Sequence, residues 1–234
     1  GDVYKRQGKA LHHKVQKDAL LNALTTFDDA IKADEQNGQA YAWKACALGQ
    51  GLFRGYLEED FNTVWKQAED NLKKARELNE NDFEVHRLMS EVSLAMKDFR
   101  AAQRHSKICY EQVPNDPRVL SVYGEVCLRT GKVDEGLDAV KLALEIDPVA
   151  QGKTNADPRH AAVIFGYYMA RDKEGCLEQI NNLDEIDFKS WLLTTKICRD
   201  EEHEFSNLDW FQEGKKLFSD KDFEKEVQDF RLNN

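Results

Sequence analysis

The 234-residue sequence has little proline and glycine, with 4 and 13 residues respectively. Proline and glycine are unfavourable inside helices and common in turns, so their scarcity indicates a helical chain. No stretch approaches the roughly 18 uncharged apolar residues that a membrane-spanning helix needs, and no secretory signal is visible. The sequence therefore predicts a soluble helical protein with no membrane segment.

Cysteine and positive charge are also limited. The five cysteines are an odd number and form no Cys-x-x-Cys pair; they are Cys46, Cys109, Cys127, Cys176 and Cys198. Most fall on predicted buried helix faces, which favours reduced thiols in a cytoplasmic protein. The formal net charge of −10 argues against a nucleic-acid partner, because phosphate recognition requires a basic surface.

Two consecutive 34-residue blocks, 81–114 and 115–148, organise the rest of the chain. Both open with Asn-Asp and close on proline, and six further positions match at the same offset. These are Val85/Val119, Glu91/Glu125, Val92/Val126, Leu94/Leu128, Lys107/Lys141 and Glu111/Glu145. In the second block, Asp116-Pro117 is a helix start, Gly131-Lys132 is a turn and Pro148 ends a second helix. Each block therefore predicts a helix–turn–helix unit.

Small residues fall where the two helices of each block should cross closely. They are Gly124, Gly136 and Ala143 in the second block and Ser90, Ala102 and Cys109 in the first, of which only Cys109 is not Gly, Ala or Ser. A 34-residue helix–turn–helix period is typical of the tetratricopeptide (TPR) repeat. The predicted fold class is all-α, an α-α superhelix or TPR solenoid of antiparallel helix pairs. Such units stack on their neighbours and usually present a binding surface.

The same pattern, weaker outside these blocks, divides the whole chain. The predicted segments are a truncated first repeat at 8–36, an extended repeat with ten extra residues at 37–80, TPR repeats at 81–114 and 115–148, a degenerate repeat at 149–186, and capping helices at 187–234. The last helix is predicted from Phe223, Val227 and Phe230 at helical spacing. A partner-binding hook is the alternative role for this C-terminal segment.

Residues 1–7 precede the first repeat and do not fit its pattern. Asp2–Gln7 resembles the in-frame translation of a transposon-end adapter used to prepare sequencing libraries. We therefore expect residues 1–7 to be a sequencing artefact, the natural protein to begin near Gly8 and further sequence to be missing upstream.

Two local patterns raise the question of ligand binding. His12 and His13 are adjacent, so their side chains diverge by about 100° on a helix and favour a packing or solvated role over metal binding. Gly49–Gly55 contains three glycines, but it follows a predicted helix, whereas a phosphate-binding loop follows a strand. A longer pair of helices with a bend at the glycines is the better interpretation.

A more specific resemblance covers roughly residues 20–148. The segment Ala40–Gln50, followed by Arg54-Gly55, the acidic run at 58–60 and Asn79–Arg87, resembles the C-terminal TPR region of bacterial class III adenylate/guanylate cyclases. The resemblance implies a regulatory module whose catalytic domain lies upstream. It transfers no cyclase active-site residue, because the paired metal-binding aspartates of that family have no counterpart here.

The concave groove of a TPR array is lined by the first helix of each repeat. The register assigns exposed groove positions to Gln39, Ala42 and Cys46, then to Glu84, Arg87 and Glu91, and then to Arg118, Ser121, Glu125 and Arg129. The carboxylate clamp of some TPR co-chaperones is absent, and mixed charge suits a protein or peptide segment of both signs. Alternatively, Arg87–Glu91 and Glu125–Arg129 are simply ion pairs four residues apart within one helix.

Catalytic, cofactor and metal residues are not predicted, because no nucleophile–histidine–acid set has a recognisable context. His86, His105, His160 and His203 are scattered through the sequence. Three hypotheses remain. The first is a protein-interaction module in the C-terminal fragment of a larger signalling protein such as a cyclase. The alternatives are a free-standing TPR scaffold and an enzyme with hidden catalysis after residue 149.

Overall fold

A computed structural model describes residues 2–14, 16–150, 153, 155–223 and 225–227. Twelve α-helices have defined bounds in this part of the chain. They are α1 (Asp2–His12), α2 (Lys17–Ala33), α3 (Gly38–Phe53), α4 (Phe61–Leu78), α5 (Phe83–Ala95), α6 (Phe99–Gln112), α7 (Pro117–Arg129), α8 (Val133–Ile146), α9 (Asp157–Ala170), α10 (Lys173–Ile180), α11 (Phe188–Asp200) and α12 (Asp209–Leu217). The chain is all-helical, packed in antiparallel pairs as predicted.

The helices follow the 34-residue period closely. Helices α5 and α7 each have 13 residues, and α6 and α8 each have 14. The pair α3 and α4 is longer, with 16 and 18 residues. Gly49 and Gly51 lie inside α3, and the prediction of a longer helix pair at this point is confirmed.

Side-chain caps explain where most helices begin. Helices α3, α4, α5, α6, α7, α10 and α11 each follow an Asn or Asp whose side chain accepts a backbone N–H of the first turn. Such a cap satisfies a donor that the helix leaves unpaired and contributes about 1 kcal/mol. The start of α9 differs from that of α7, although both contain Asp-Pro-Arg. The carboxylate of Asp157 accepts the backbone N–H groups of Asp184 and Glu185 instead of capping its own helix.

Contacts divide the chain into two compact units, residues 1–115 (unit 1) and 116–234 (unit 2). In unit 1, α1 pairs with α2, α3 with α4 and α5 with α6. Its core contains Leu20, Phe27, Trp43 and Leu88, all buried.

In unit 2, α7 pairs with α8 and α9 with α10, while α11 packs on both α9 and α10. The aromatic side chains after residue 187 gather around Trp191, with rings from Phe188, Phe211, Phe218 and Phe223 within about 6 Å of it. Val227 is buried, while Phe230 of the predicted last helix lies outside the described residues.

Glycine permits a close crossing of α7 and α8 in unit 2. A Cβ atom at Gly124 would lie 2.7 Å from Val140 Cγ1 and 2.9 Å from the carbonyl oxygen of Gly136, whereas side chains need more than 3 Å. In unit 1 the equivalent crossing joins Ser90 to Ala102, whose carbonyl accepts the serine hydroxyl at 3.1 Å. The prediction that small residues mark these crossings is confirmed.

Candidate protein-interaction faces

In unit 1 the first helices of the pairs, α1, α3 and α5, bring two cations to one aromatic ring. Trp43 on α3 is only 3% exposed. The ammonium group of Lys9 on α1 lies 4.6 Å from an indole ring centroid, and the guanidinium carbon of Arg87 on α5 lies 5.4 Å from it. Both separations fall within the roughly 6 Å range of cation–π attraction. We call Lys9, Trp43, Glu84, Arg87 and Glu91 the Trp43 cluster.

Carboxylates neutralise the cations of the Trp43 cluster. Arg87 donates from Nε to Glu84 Oε2 at 3.1 Å and from Nη1 to Glu91 Oε1 at 2.6 Å. Lys9 Nζ donates to the other oxygen of Glu84 at 3.2 Å. Burial alone would lower the pKa of the Arg87 guanidinium, but Glu91 and Glu84 outweigh it and raise that pKa. Arg87 is therefore charged and held in place from two sides.

The prediction that Glu84 and Arg87 are exposed is wrong. Glu84 is 2% and Arg87 4% exposed, because Lys9 of α1 and Trp43 of α3 contact them. Glu91, at the edge of the cluster, keeps a 37% exposed side chain. The predicted pair between Arg87 and Glu91 is present. In this unit only Glu91, of the three predicted α5 positions, remains open to a partner.

The predicted α3 positions are also partly covered. Ala42 is fully buried, and the half-buried Gln39 donates to Asp82 Oδ2 at 2.7 Å. Cys46 Sγ lies 3.5 Å from His12 Nε2, and burial followed by the charge of Glu91 raises the pKa of the Cys46 thiol to about 12. Cys46 is therefore a protonated thiol, with no enhanced reactivity.

Buried polar atoms surround this cluster without protein partners. His12 Nδ1, Trp43 Nε1 and Arg87 Nη2 have no hydrogen-bond partner among the described residues. Trp43 Nε1 and Arg87 Nη2 can only donate, whereas the role of His12 Nδ1 depends on the tautomer of the ring. Buried unpaired donors cost about 1–3 kcal/mol each, so an acceptor group that reached them would be bound favourably.

Unit 2 repeats the arrangement with a different aromatic residue. Phe165 on α9 is 3% exposed. The Arg129 guanidinium carbon on α7 lies 5.3 Å from its ring centroid, and the Lys189 ammonium on α11 lies 4.2 Å from it. Arg129 Nε donates to Glu125 Oε1 at 2.9 Å, the predicted pair. We call Glu125, Arg129, Phe165 and Lys189 the Phe165 cluster.

The predicted α7 positions in unit 2 stay more open than those on α5. The Glu125 side chain is 45% exposed and that of Arg129 21%. Burial lowers the pKa of the Lys189 ammonium, with Glu125 opposing the shift and Arg129 adding to it. The Arg118 side chain is 35% exposed and pairs with Asp116, the residue that caps α7.

Ser121 contacts Arg159, which was not among the residues predicted to line the groove. The Arg159 guanidinium contacts the Ser121 hydroxyl and donates to the Pro117 carbonyl at 3.3 Å and the Asp147 carbonyl at 3.1 Å. Arg159 is 6% exposed and ties the start of α9 to α7. Its place in the Asp157-Pro158-Arg159 helix start, the same as that of Arg118 after Asp116-Pro117, was the signal available in the sequence.

Two of the scattered histidines meet in the interior of unit 1. His86 on α5 and His105 on α6 stack with centroids 5.1 Å apart, and their Nδ1 atoms are 2.8 Å apart. His86 Nε2 lies 2.6 Å from the Glu80 carbonyl oxygen, which can only accept, so His86 donates from Nε2. Burial, followed by the charges of His86, Arg104 and Arg76, lowers the pKa of His105 to about 4, against the opposing charge of Asp98.

The described residues contain no candidate for a metal-binding site or for a membrane-spanning helix. No group of three or more His, Cys, Asp or Glu side chains is placed to hold a metal ion there. His12 packs edge-on against Trp43, in agreement with the predicted packing role. Nor does any helix in this part of the chain combine the length and apolarity needed to cross a bilayer.

Antiparallel helix pairs with a 34-residue period define the TPR class of helical repeat fold. The chain is similar in structure to PilF of Pseudomonas aeruginosa, with a TM-score of 0.67 and 15% identity over 100% of this chain and 97% of that chain. PilW, described as a widely conserved type IV pilus biogenesis factor, gives a TM-score of 0.70 at 11% identity over 97% of this chain and 99% of its own.

A thermophilic TPR protein of Thermus thermophilus is similar with a TM-score of 0.58 and 19% identity, over 86% of this chain and 98% of that one. At these identities the likeness shows the fold. No protein-family model matches the chain, and no match was found among curated proteins.

Proposed function

We propose that this chain is a protein-interaction module that holds a peptide segment of a partner against the first helices of its repeats. Helical repeats of this class present extended surfaces of first helices for binding. The proposal rests on one cation–π arrangement that occurs in both units. In each unit an aromatic ring on the middle first helix lies between two cations from the flanking first helices.

The exposed edges of the two clusters supply the proposed contacts. In unit 1 these are Glu91 and Lys9, whose side chains are 37% and 23% exposed. In unit 2 they are Glu125 and Arg129, and Arg118 at the start of α7 adds a further partly exposed charge. Both signs of charge are present at each edge, which favours a peptide that carries both signs. Glu84, Arg87 and Ser121 lie behind these edges and hold them in position.

Of the two arrangements predicted from the sequence, the free-standing scaffold has the better support. PilF and PilW are matched over 97% and 99% of their own chains, so the fold occurs there as a module without a linked catalytic domain. Attachment to a class III cyclase rests on the sequence resemblance at 20–148. Reading the gene upstream of residue 8 in intact genomic DNA separates the two arrangements.

Site-specific photocrosslinking tests the proposed face. Glu125 on α7 is replaced by p-benzoylphenylalanine, and the chain is irradiated in a lysate of its native host. Asp138, exposed on the second helix α8, receives the same replacement as the matched control. We expect a discrete crosslinked partner at position 125 that is absent at 138. Equal crosslinking at both positions, or none at 125, would contradict the assignment of the face.

A further inference from the structure

Two aromatic side chains are stacked at the surface of unit 1, on the second helix α4. Phe61 and Trp65 lie one turn apart at the start of α4, with ring centroids 6.1 Å apart and planes inclined by 9°. Phe61 is 56% exposed, and Trp65 is half-buried. The core-facing side of α4 consists instead of Val64, Ala68, Leu72 and Ala75. The two rings, which we call the aromatic platform, are therefore not needed to fill the core.

Hydrogen bonds hold the platform in one arrangement. Trp65 Nε1 donates to Glu69 Oε1 at 2.9 Å, which fixes the indole on the helix surface. Asp60 caps the helix by accepting the Thr63 backbone N–H at 3.1 Å, and Gln67 donates to Glu59 at 3.1 Å. An ordered aromatic surface loses little conformational entropy when a partner binds.

The surroundings of the platform are strongly acidic. Residues 56–72 contain five carboxylates and a single cation, Lys66. Glu58, Glu59, Asp60 and Glu69 are exposed, while Lys66 lies 3.5 Å from Asp70 and is partnered there. An exposed ring face bordered by carboxylates attracts a cation through both its quadrupole and the neighbouring charges.

We propose that the aromatic platform and its carboxylate border form a second docking surface, which takes an arginine-bearing basic segment of a partner protein. A guanidinium stacks on the ring faces of Phe61 and Trp65, and flanking cations pair with Glu58 and Glu69. Arginine fits better than lysine because its planar guanidinium stacks on aromatic rings and is more weakly hydrated. Charge complementarity decides against a second copy of this chain, whose net charge is −10.

This surface lies on a second helix and does not depend on the first-helix faces of the proposed function. It falls within the 37–80 repeat, which exceeds the 34-residue period by ten residues. The neighbouring repeat has no aromatic pair at the start of its second helix α6, where Phe99 is followed four residues later by Gln103. The platform is therefore a local addition to a regular repeat.

Binding of a defined basic peptide tests the proposal. The probe is a fluorescein-labelled peptide with arginine at every third position and glycine or serine between, and its twin carries glutamate in place of arginine. Fluorescence anisotropy at low and at near-physiological salt measures the dissociation constants of the full chain. We expect the arginine peptide to bind, more weakly at the higher salt, and the glutamate peptide not to bind.

Variants separate the platform from general attraction to an acidic protein. Phe61→Ala and Trp65→Ala should each weaken binding at least about threefold. Glu69→Gln keeps an acceptor for the indole but removes the charge, and should weaken binding in the same direction. Leu21→Ala, an exposed apolar position on α2 that is 39% exposed, is the matched control and should leave the dissociation constant unchanged.

Nuclear magnetic resonance gives a residue-specific readout. The indole N–H resonance of Trp65, assigned from Trp65→Phe, should shift on addition of the arginine peptide, while those of the buried Trp191 and Trp210 should not. Equal affinity of the wild type and both platform variants, no binding at all, or an unmoved Trp65 resonance would overturn the proposal. Each of these outcomes leaves the crosslinking result at Glu125 unaffected, so the two proposals fail separately.

Discussion

Arg87 shows how much the surroundings of a single residue decide the effect of its replacement. Its guanidinium lies beneath the first-helix face of unit 1, between Glu84, Glu91 and the ring of Trp43. Replacing an arginine that is exposed to water in a groove would change the free energy of unfolding only slightly. A buried arginine that neutralises two carboxylates is not, because its removal leaves the charge of Glu84 in a protein interior without its guanidinium partner.

We therefore expect Arg87→Ala to lower the free energy of unfolding by about 3–5 kcal/mol. Arg118→Ala is the matched control at the start of the first helix of the next repeat, where a partly exposed pair contributes about 0–1 kcal/mol. Urea denaturation followed by circular dichroism measures both. Similar midpoints for the two variants would show that the Trp43 cluster is open to solvent.

The buried histidines give the stability of unit 1 a pH dependence. The pKa of His105 is lowered to about 4, and that of His12 is lowered to about 4 by burial and then by His13, Arg87 and Arg54. The unfolded chain, whose histidines titrate near 6.5, binds more protons as the pH falls below that value. The stability that these two neutral side chains support is therefore complete above about pH 7 and is lost on acidification towards pH 4.

Each histidine should remove roughly 2 kcal/mol of stability between about pH 7 and about pH 5. His105→Gln, whose amide can either donate to His86 or accept from it, should reduce this pH-dependent loss by about that amount, as should His12→Gln. Urea titrations at the two pH values check the prediction. An unchanged difference between them in both variants would mean that neither imidazole stays neutral in the folded chain.

At the scale of the helices, the same substitution should have opposite effects at two glycines. Glycine is about 1 kcal/mol less favourable than alanine inside a helix. A Cβ at Gly49 on α3 meets nothing within 4 Å, whereas a Cβ at Gly124 on α7 would collide with Val140 and the backbone of Gly136. Helix propensity decides the first case and overpacking at the α7–α8 crossing decides the second.

Gly49→Ala should stabilise the chain by up to about 1 kcal/mol, and Gly124→Ala should destabilise it by about 1–3 kcal/mol. Thermal unfolding monitored by circular dichroism distinguishes the two signs. If Gly124→Ala raised the melting temperature, the close crossing of α7 and α8 would be wrong, together with the repeat register from which it was predicted.

For the whole molecule, the division into two compact units falls between residues 115 and 116, beside the predicted repeat boundary. Each unit contains complete helix pairs, as expected when every repeat packs mainly on its neighbours. The formal charge of −10 lies almost entirely in unit 2, because residues 1–115 hold 17 basic and 18 acidic side chains whereas residues 116–234 hold 16 and 25. The carboxylates at residues 58–60 and at Glu69 make the surface around α4 suited to cations.

The sequence alone was sufficient to predict the helix pairs, their 34-residue period and the small residues at their crossings. These features depend on contacts within a few residues along the chain. A cap bonds to an N–H two or three residues away, a core stripe recurs every third or fourth residue, and the period repeats the pattern. The i, i+4 pairs Arg87–Glu91 and Glu125–Arg129 were predictable for the same reason.

Only the tertiary structure decided which of the predicted groove charges are buried and which remain open. Lys9 and Trp43 cover Glu84 and Arg87, although they lie far from them in sequence, and Lys189 reaches Phe165 from the following first helix. His86 and His105 become partners because two helices of one repeat place them face to face. Burial and pairing depend on the neighbouring helices, whose side chains no periodicity within a single helix can specify.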